Sequence, residues 1–139
     1  MKKISSPLLT LALLCLLLPN STVKANDHSA YDLIVAVNTL RSENGLKELP
    51  TNVYLMAAAQ KQATFLANTY GSIPPNEADG HRGEDGSDAT ERAIQVGYEV
   101  RTGLQIRENW AAVNTSISLD TLLNDYWGDS EHMSLLLNE

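Results

Sequence analysis

Apolar residues recur with a helical period near residues 31 to 44. Leu33, Val37 and Leu40 lie at positions i, i+4 and i+7, so they form one apolar stripe along a helix. Gly45 follows this stripe, and glycine readily takes the left-handed conformation that ends a helix. The pattern therefore predicts a first helix over residues 31–44, with one face packed against the rest of the protein.

A second helix is predicted over residues 53–70. Asn52 or Thr51 can act as its N-cap, and Gly71 follows its last turn. The many alanines of this segment indicate close packing against another element. The residues expected on its buried face are Leu55, Ala59, Ala63 or Leu66, and Ala67.

Residues 71–88 are poor in apolar side chains and rich in glycine and proline, which predicts a loop. The loop is long, and long loops in compact domains are often functional. A short helix is predicted over residues 88–96, because Asp88 and Glu91 have the spacing of a capping box and Gly97 can end the helix.

Alternating apolar residues, Val100, Leu104 and Ile106, predict a strand over residues 100–106. A last helix is predicted over residues 119–127, with Trp127 packing at its end. The predicted order is helix, helix, loop, helix, strand and helix. A single strand cannot satisfy its own backbone N–H and C=O groups, so further strands are needed to pair with it.

The N-terminal segment has the pattern of a secretory signal peptide. Lys2 and Lys3 precede an apolar run over residues 8–18, and a polar stretch ending at Ala25 follows it, so cleavage is expected after Ala25. The alternative is a membrane anchor, which requires about 20 apolar residues and is disfavoured by the short run. Leu14 before Cys15 does not fit a lipoprotein signal, so no stable membrane anchor is expected.

Cleavage changes the composition of the working chain. Cys15 is the only cysteine and leaves with the signal, so residues 26–139 must be held by an ordinary core without disulfides. The remaining 114 residues suit a single domain, and their formal net charge is −10. This charge argues against nucleic acid and anionic lipid surfaces as partners and is compatible with cations.

Candidate chemistry is confined to a few residues. The chain has no zinc-protease, phosphate-loop or dinucleotide-binding motif, and no serine or cysteine in a nucleophile motif. The acidic segment of residues 79–91 is either a solvated loop or a calcium site, although it lacks the ligand spacing of an EF-hand. His81 and His132 could be ordinary surface histidines or site residues, whereas His28 lies near the expected cleavage point. Arg92 is expected to pair with the acids of the loop.

Ordered blocks of residues resemble one known family. The blocks are Val37-Asn38-x-x-Arg41-x-x-x-Gly45-Leu46-x-x-Leu49, Leu55-x-x-Ala58-Ala59-x-x-x-Ala63-x-x-Leu66-Ala67, His81-x-x-x-Asp85-Gly86-Ser87-x-x-x-x-Arg92-x-x-x-x-Gly97-Tyr98, Glu108-Asn109, and Asp129-x-x-His132. In this order they resemble the CAP superfamily of cysteine-rich secretory proteins, antigen 5 and pathogenesis-related 1 proteins, in its disulfide-free prokaryotic form. The resemblance covers nearly all of residues 31–139.

The resemblance implies a fold of the α+β class, an α/β/α sandwich around a central sheet. The last strands of that sheet follow the block that contains His132 in the family. The expectation is therefore a CAP domain over residues 26–139 whose C-terminal strands are missing from this chain.

The resemblance also implies a cleft where two histidines and acidic residues meet, and where some family members bind zinc or another divalent ion. The matching positions are His81, His132 and Glu108, with Asp129 as a possible additional acid. Three functions stay open: a secreted binding module for a small ligand, lipid or protein, a metal-assisted extracellular hydrolase with Glu108 as its catalytic residue, and an exported scaffold.

Overall fold

The computed structural model describes residues 28–71 and 73–138, so the predicted signal peptide of residues 1–25 lies outside the described residues. Six helical segments follow one another along these residues. They are α1 (Ala30–Glu43), α2 (Val53–Tyr70), α3 (Glu77–Gly80), α4 (Ala89–Gln95), α5 (Leu119–Thr121), which continues into a π-helical turn (Leu122–Tyr126), and α6 (Ser130–Leu136). None of the helices in these residues is long and apolar enough to cross a membrane.

The first helix has the ends that its sequence predicts. Ser29 caps α1 and forms a capping box with Asp32, because each side chain accepts from the other residue's backbone N–H. At the other end Gly45 has a φ of 74°, and the Leu46 N–H donates to the Arg41 carbonyl at 2.9 Å. This pairing satisfies carbonyls that the end of a helix leaves free.

The second helix has the predicted bounds but a different buried face. Asn52 caps α2 by accepting from the N–H groups of Tyr54 and Leu55, and Gly71 ends the helix in the left-handed conformation. The buried residues are Ala58, Gln62 and Leu66, whereas Ala59, Ala63 and Ala67 are exposed. The prediction is therefore wrong for Ala59 and Ala67, whereas Leu66 is the buried residue of the alternative Ala63 or Leu66. The face that is buried lies toward α4 and toward the loop after α3, which the helical period alone does not specify.

The predicted strand over residues 100–106 is not formed, and no strand occurs in residues 28–71 and 73–138. A turn at Thr102 and Gly103 interrupts the segment, with Gly103 at a φ of 82° and the Leu104 N–H donating to the Arg101 carbonyl. The expectation of a strand is therefore wrong at these residues. Alternation of apolar residues is not sufficient for a strand, because a strand also needs a neighbour for its backbone groups, and Leu104 of this segment is exposed.

The C-terminal part contains one helix more than predicted. The predicted helix over 119–127 is a short α-helix followed by the π-helical turn, and Trp127 ends it as a buried residue, as predicted. Helix α6 follows at once and is capped by Asp129. His132 therefore lies in the first turn of a helix rather than in a loop.

The core of the described residues is small. Ala58 and Leu66 of α2 and Ala93 of α4 are buried, as are Leu123 and Trp127 near the C-terminus. Helix α3 approaches Trp110 so closely that a Cβ atom at Gly80 would overlap the indole ring. Because Gly80 has no side chain, the loop that carries His81 can lie directly against Trp110.

Candidate functional site

Three charged or titratable side chains meet where the loop after α3 faces the segment before Trp110. The His81 Nδ1 lies 3.2 Å from the Glu108 Oε1, and the Arg92 Nη2 is hydrogen-bonded to the same oxygen. Arg92 is 2% exposed, whereas the side chains of Glu108 and His81 are 22% and 40% exposed. The group thus has a buried cation, a partly buried carboxylate and an accessible imidazole.

Arg92 organises this group through its other hydrogen bonds. Its Nη1 donates to the carbonyl oxygens of His81 at 3.0 Å and Ser87 at 2.7 Å. One guanidinium therefore connects both ends of the loop to Glu108, which the planar fork of donors makes possible. The ion pair that forms is with Glu108, so the expectation that Arg92 pairs with the acids of the loop is wrong.

Side chains from helices hold the segment that carries Glu108. The Thr90 side chain in α4 accepts from the Ile106 N–H at 3.0 Å. The Trp110 ring stands edge-on to the His81 ring with centroids 6.3 Å apart, and its carbonyl oxygen accepts from the Trp127 Nε1 at 3.2 Å. Glu108 is thereby fixed from both sides along the chain.

His132 and Asp129 form a second pair at the start of α6. The Asp129 Oδ1 caps the helix by accepting from the N–H groups of Glu131 and His132, and the Oδ2 lies 2.6 Å from the His132 Nδ1. The backbone and then the ring of His132 bond to the Asp129 carboxyl group and lower its pKa. Asp129 is therefore a helix cap and the partner of His132 at the same time.

Asn109 connects the two pairs. It directly follows Glu108, and its Nδ2 donates to the carbonyl oxygen of His132 at 3.2 Å. Its Oδ1 is buried and has no hydrogen-bond donor within the described residues. The sequence-predicted residues are thus brought together as two carboxylate–histidine pairs on neighbouring segments.

In this arrangement the predicted ligands do not form one metal group. No cluster of three or more His, Cys, Asp and Glu side chains able to hold a metal ion occurs in residues 28–71 and 73–138. The Oε1 of Glu108 is already engaged by Arg92 and His81. In both histidines the Nδ1 faces a carboxylate, which leaves the Nε2 for another partner. A carboxylate behind the imidazole is the usual arrangement that orients a metal-binding histidine.

Sequence reasoning did not anticipate that Arg92 would bind Glu108, or that Trp110 would pack on His81. The sequence signal that could have indicated burial of Arg92 is its position beside Ala93 in a short predicted helix. Both residues are buried in the structure. Asp85, Asp88 and Glu91 of the acidic segment have structural partners instead of a common centre. Asp88 and Glu91 form the capping box of α4, as predicted, and Asp85 accepts from the Ser87 N–H and the Gln95 side chain.

Comparison with protein families matches residues 34–139 to the family model named CAP and described as the cysteine-rich secretory protein family. No curated protein and no solved structure matches the chain.

Proposed function

The chain belongs to the cysteine-rich secretory protein (CAP) family, and we propose that it is a secreted binding module with a histidine cleft that takes a divalent metal ion. The observation that carries the proposal is the pair of carboxylate-backed imidazoles, His81 with Glu108 and His132 with Asp129. The predicted signal peptide of residues 1–25 supports secretion. We also propose that the fold of the module is an α/β/α sandwich with a central sheet.

The proposed metal ligands are the two imidazoles, with the carboxylates behind them. His81 and His132 would each present the Nε2 atom, and neutral imidazole nitrogen is a preferred ligand of Zn²⁺. Binding of one ion by both histidines would require the two pairs to move toward each other, because they do not form one metal group among the described residues. Glu108 completes the predicted ligand set by supplying its other oxygen or by orienting His81, because Arg92 already engages its Oε1. Asp129 is the additional acid and orients His132.

We expect the protein to bind Zn²⁺ through these two histidines. Isothermal titration calorimetry of residues 26–139 should show saturable Zn²⁺ binding, and the double variant His81→Ala and His132→Ala should lose it. His28→Ala is the matched control and should bind as the wild type does, because His28 is an exposed residue before α1. Circular dichroism of each variant establishes that it is folded. Undiminished Zn²⁺ binding by the folded double variant would contradict the proposal.

The alternative function is a metal-assisted hydrolase. Glu108 favours it, because a partly buried carboxylate beside an accessible imidazole is a candidate general base. A bound divalent ion would supply an activated water molecule. The absence of a serine or cysteine nucleophile motif in the sequence disfavours covalent hydrolysis but not this route.

A substrate screen distinguishes the two functions. Peptide, ester and glycan substrates are tested with the wild type, with Glu108→Gln, and with the control Glu43→Gln, which changes an exposed carboxylate at the end of α1. The binding module predicts no turnover by any of them. Turnover that falls at least about 100-fold in Glu108→Gln and not in Glu43→Gln would establish the hydrolase instead. If the protein neither binds Zn²⁺ nor turns over any substrate, the hypothesis that remains is an exported scaffold.

A further inference from the structure

A groove separate from the histidine cleft lies between α2 and the loop of residues 83–87. Its volume is about 330 Å³, which is within the range of roughly 300–1,000 Å³ for small-molecule sites. Its α2 wall is formed by polar side chains around Phe65, and its loop wall contains Glu84 and Asp85. Arg92, which is hydrogen-bonded to Glu108, also lines the groove.

Hydrogen bonds hold the two walls of this groove together. The Lys61 Nζ donates to the Gln95 Oε1 at 3.0 Å, and the Gln95 Nε2 donates to the Asp85 Oδ2 at 2.8 Å. The Ser87 side chain and backbone N–H, together with Gln95, lower the pKa of Asp85 to about 2. The two walls are therefore connected by hydrogen bonds through Gln95. Asp85 is an ionised hydrogen-bond acceptor at neutral pH.

Gln62 supplies a buried acceptor without a partner on the wall of the groove. The residue is 4% exposed, and its Nε2 donates to the carbonyl oxygens of Gly80 at 2.8 Å and Arg82 at 3.0 Å. Because both neighbours are acceptors, the amide nitrogen must face them, and the orientation of the side chain is unambiguous. The Oε1 is then left with no donor among the described residues. A buried amide oxygen without a donor is unfavourable, so this acceptor is available to a donor from outside the chain, either a water molecule or a ligand hydroxyl group.

The charges along the groove favour a neutral ligand. Because Arg92 is paired with Glu108, the charged side chains that remain in the lining are Lys61, Glu84 and Asp85. A strongly anionic ligand would meet the two carboxylates, and a strongly cationic one would meet Lys61. What remains is hydrogen bonding by amides, hydroxyls and carboxylates beside one aromatic ring. A sugar ring has matching chemistry, because its hydroxyl groups donate and its C–H face packs against an aromatic side chain.

We propose that the groove between α2 and residues 83–87 binds a neutral saccharide. Gln62 and Asp85 accept from its hydroxyl groups, Asn68 forms a further hydrogen bond with them, and Phe65 packs against the sugar ring. This site is independent of the metal site proposed above. The proposal assigns the binding module a ligand of defined chemistry, which the family match alone does not supply.

Titration of ¹⁵N-labelled protein with N-acetylglucosamine and with glucose tests this site. We expect saturable shifts of backbone amides in α2 and residues 83–87, with a dissociation constant in the millimolar range. Asn68→Ala changes an exposed residue of the groove wall and should weaken binding about fivefold, as expected for one lost hydrogen bond. Asn114→Ala is the matched control, because Asn114 is exposed and outside the groove, and it should bind as the wild type does.

The outcomes separate this site from the histidine cleft. The titration is repeated with a chelator, and unchanged shifts mean that the groove functions whether or not the protein binds Zn²⁺. Glycerol, a small polyol without a ring, should cause no saturable shift. The proposal is overturned if the sugars cause no shift up to roughly 100 mM, far above the millimolar constant expected. It is also overturned if Asn68→Ala binds as well as the wild type, or if glycerol reproduces the shifts.

Discussion

Replacement of Arg92 by methionine is expected to lower the free energy of unfolding by about 3–5 kcal/mol, the range for removing one partner of a buried ion pair. The guanidinium is 2% exposed and is hydrogen-bonded to Glu108 and to the carbonyl oxygens of His81 and Ser87. Methionine has a similar length and no donors. It would leave three acceptors without their partner, and one of them carries a charge.

Urea unfolding of residues 26–139, followed by circular dichroism, measures this effect. Arg107→Met is the matched control, because Arg107 is exposed and lies in the same segment as Glu108, and its effect should be within about 0.5 kcal/mol. Adding Glu108→Gln to Arg92→Met should recover part of the loss, because the uncompensated carboxylate is removed. Equal stability of Arg92→Met and Arg107→Met would show that the ion pair does not hold the loop.

Replacement of Arg41 by methionine is expected to cost about 3 kcal/mol, which is comparable with breaking a buried charged network. Arg41 is 3% exposed, and its Nε donates to the Lys47 carbonyl at 2.9 Å. Its Nη1 donates to the carbonyl oxygens of Leu136 at 2.7 Å and Asn138 at 2.9 Å. One side chain thus connects the turn after α1 to the end of α6, whose last carbonyls have no helical donor.

The same unfolding experiment with Arg41→Lys tests whether the shape of the guanidinium is required. Lysine keeps the charge but has a single nitrogen, which cannot serve the carbonyls of Lys47 and α6 in the same geometry, so we expect it to recover less than half of the loss. Arg101→Met is the matched control, because Arg101 is an exposed arginine. Full recovery by Arg41→Lys would show that charge alone is needed. Hydrogen exchange should then report whether α6 opens first in Arg41→Met, as the contacts predict.

Local signals predicted the helix ends well. Asn52 caps α2 and Asp88 caps α4, because a short side chain with an oxygen can reach the free N–H groups of the first turn only from that position. Gly45 and Gly71 take the left-handed conformation for an equally local reason. Such interactions involve residues three to five apart, so the sequence contains all of their participants.

Other features depended on residues far apart in the chain. The buried face of α2 contains Gln62 rather than the expected Ala59 and Ala67, because the Gln62 amide reaches carbonyls about 20 residues away. Helix α6 was missed because Asp129, interpreted as an additional acid of the site, is also its N-cap. An aspartate is compatible with a role as a site residue and with a role as a helix cap, and the residue type alone does not show that a helix begins after it.

The sequence by itself determined the family and the bounds of the first helices, and it predicted four residues of a candidate site, through order and spacing along the chain. The pairing of His132 with Asp129 is local, since the two residues are three apart in the same helical turn. The tertiary structure decided which partners Glu108 has, because it placed His81 and the buried guanidinium of Arg92 on this carboxylate. The physical reason is that ion pairing and burial depend on distances between segments up to 27 residues apart, which spacing along the chain does not set.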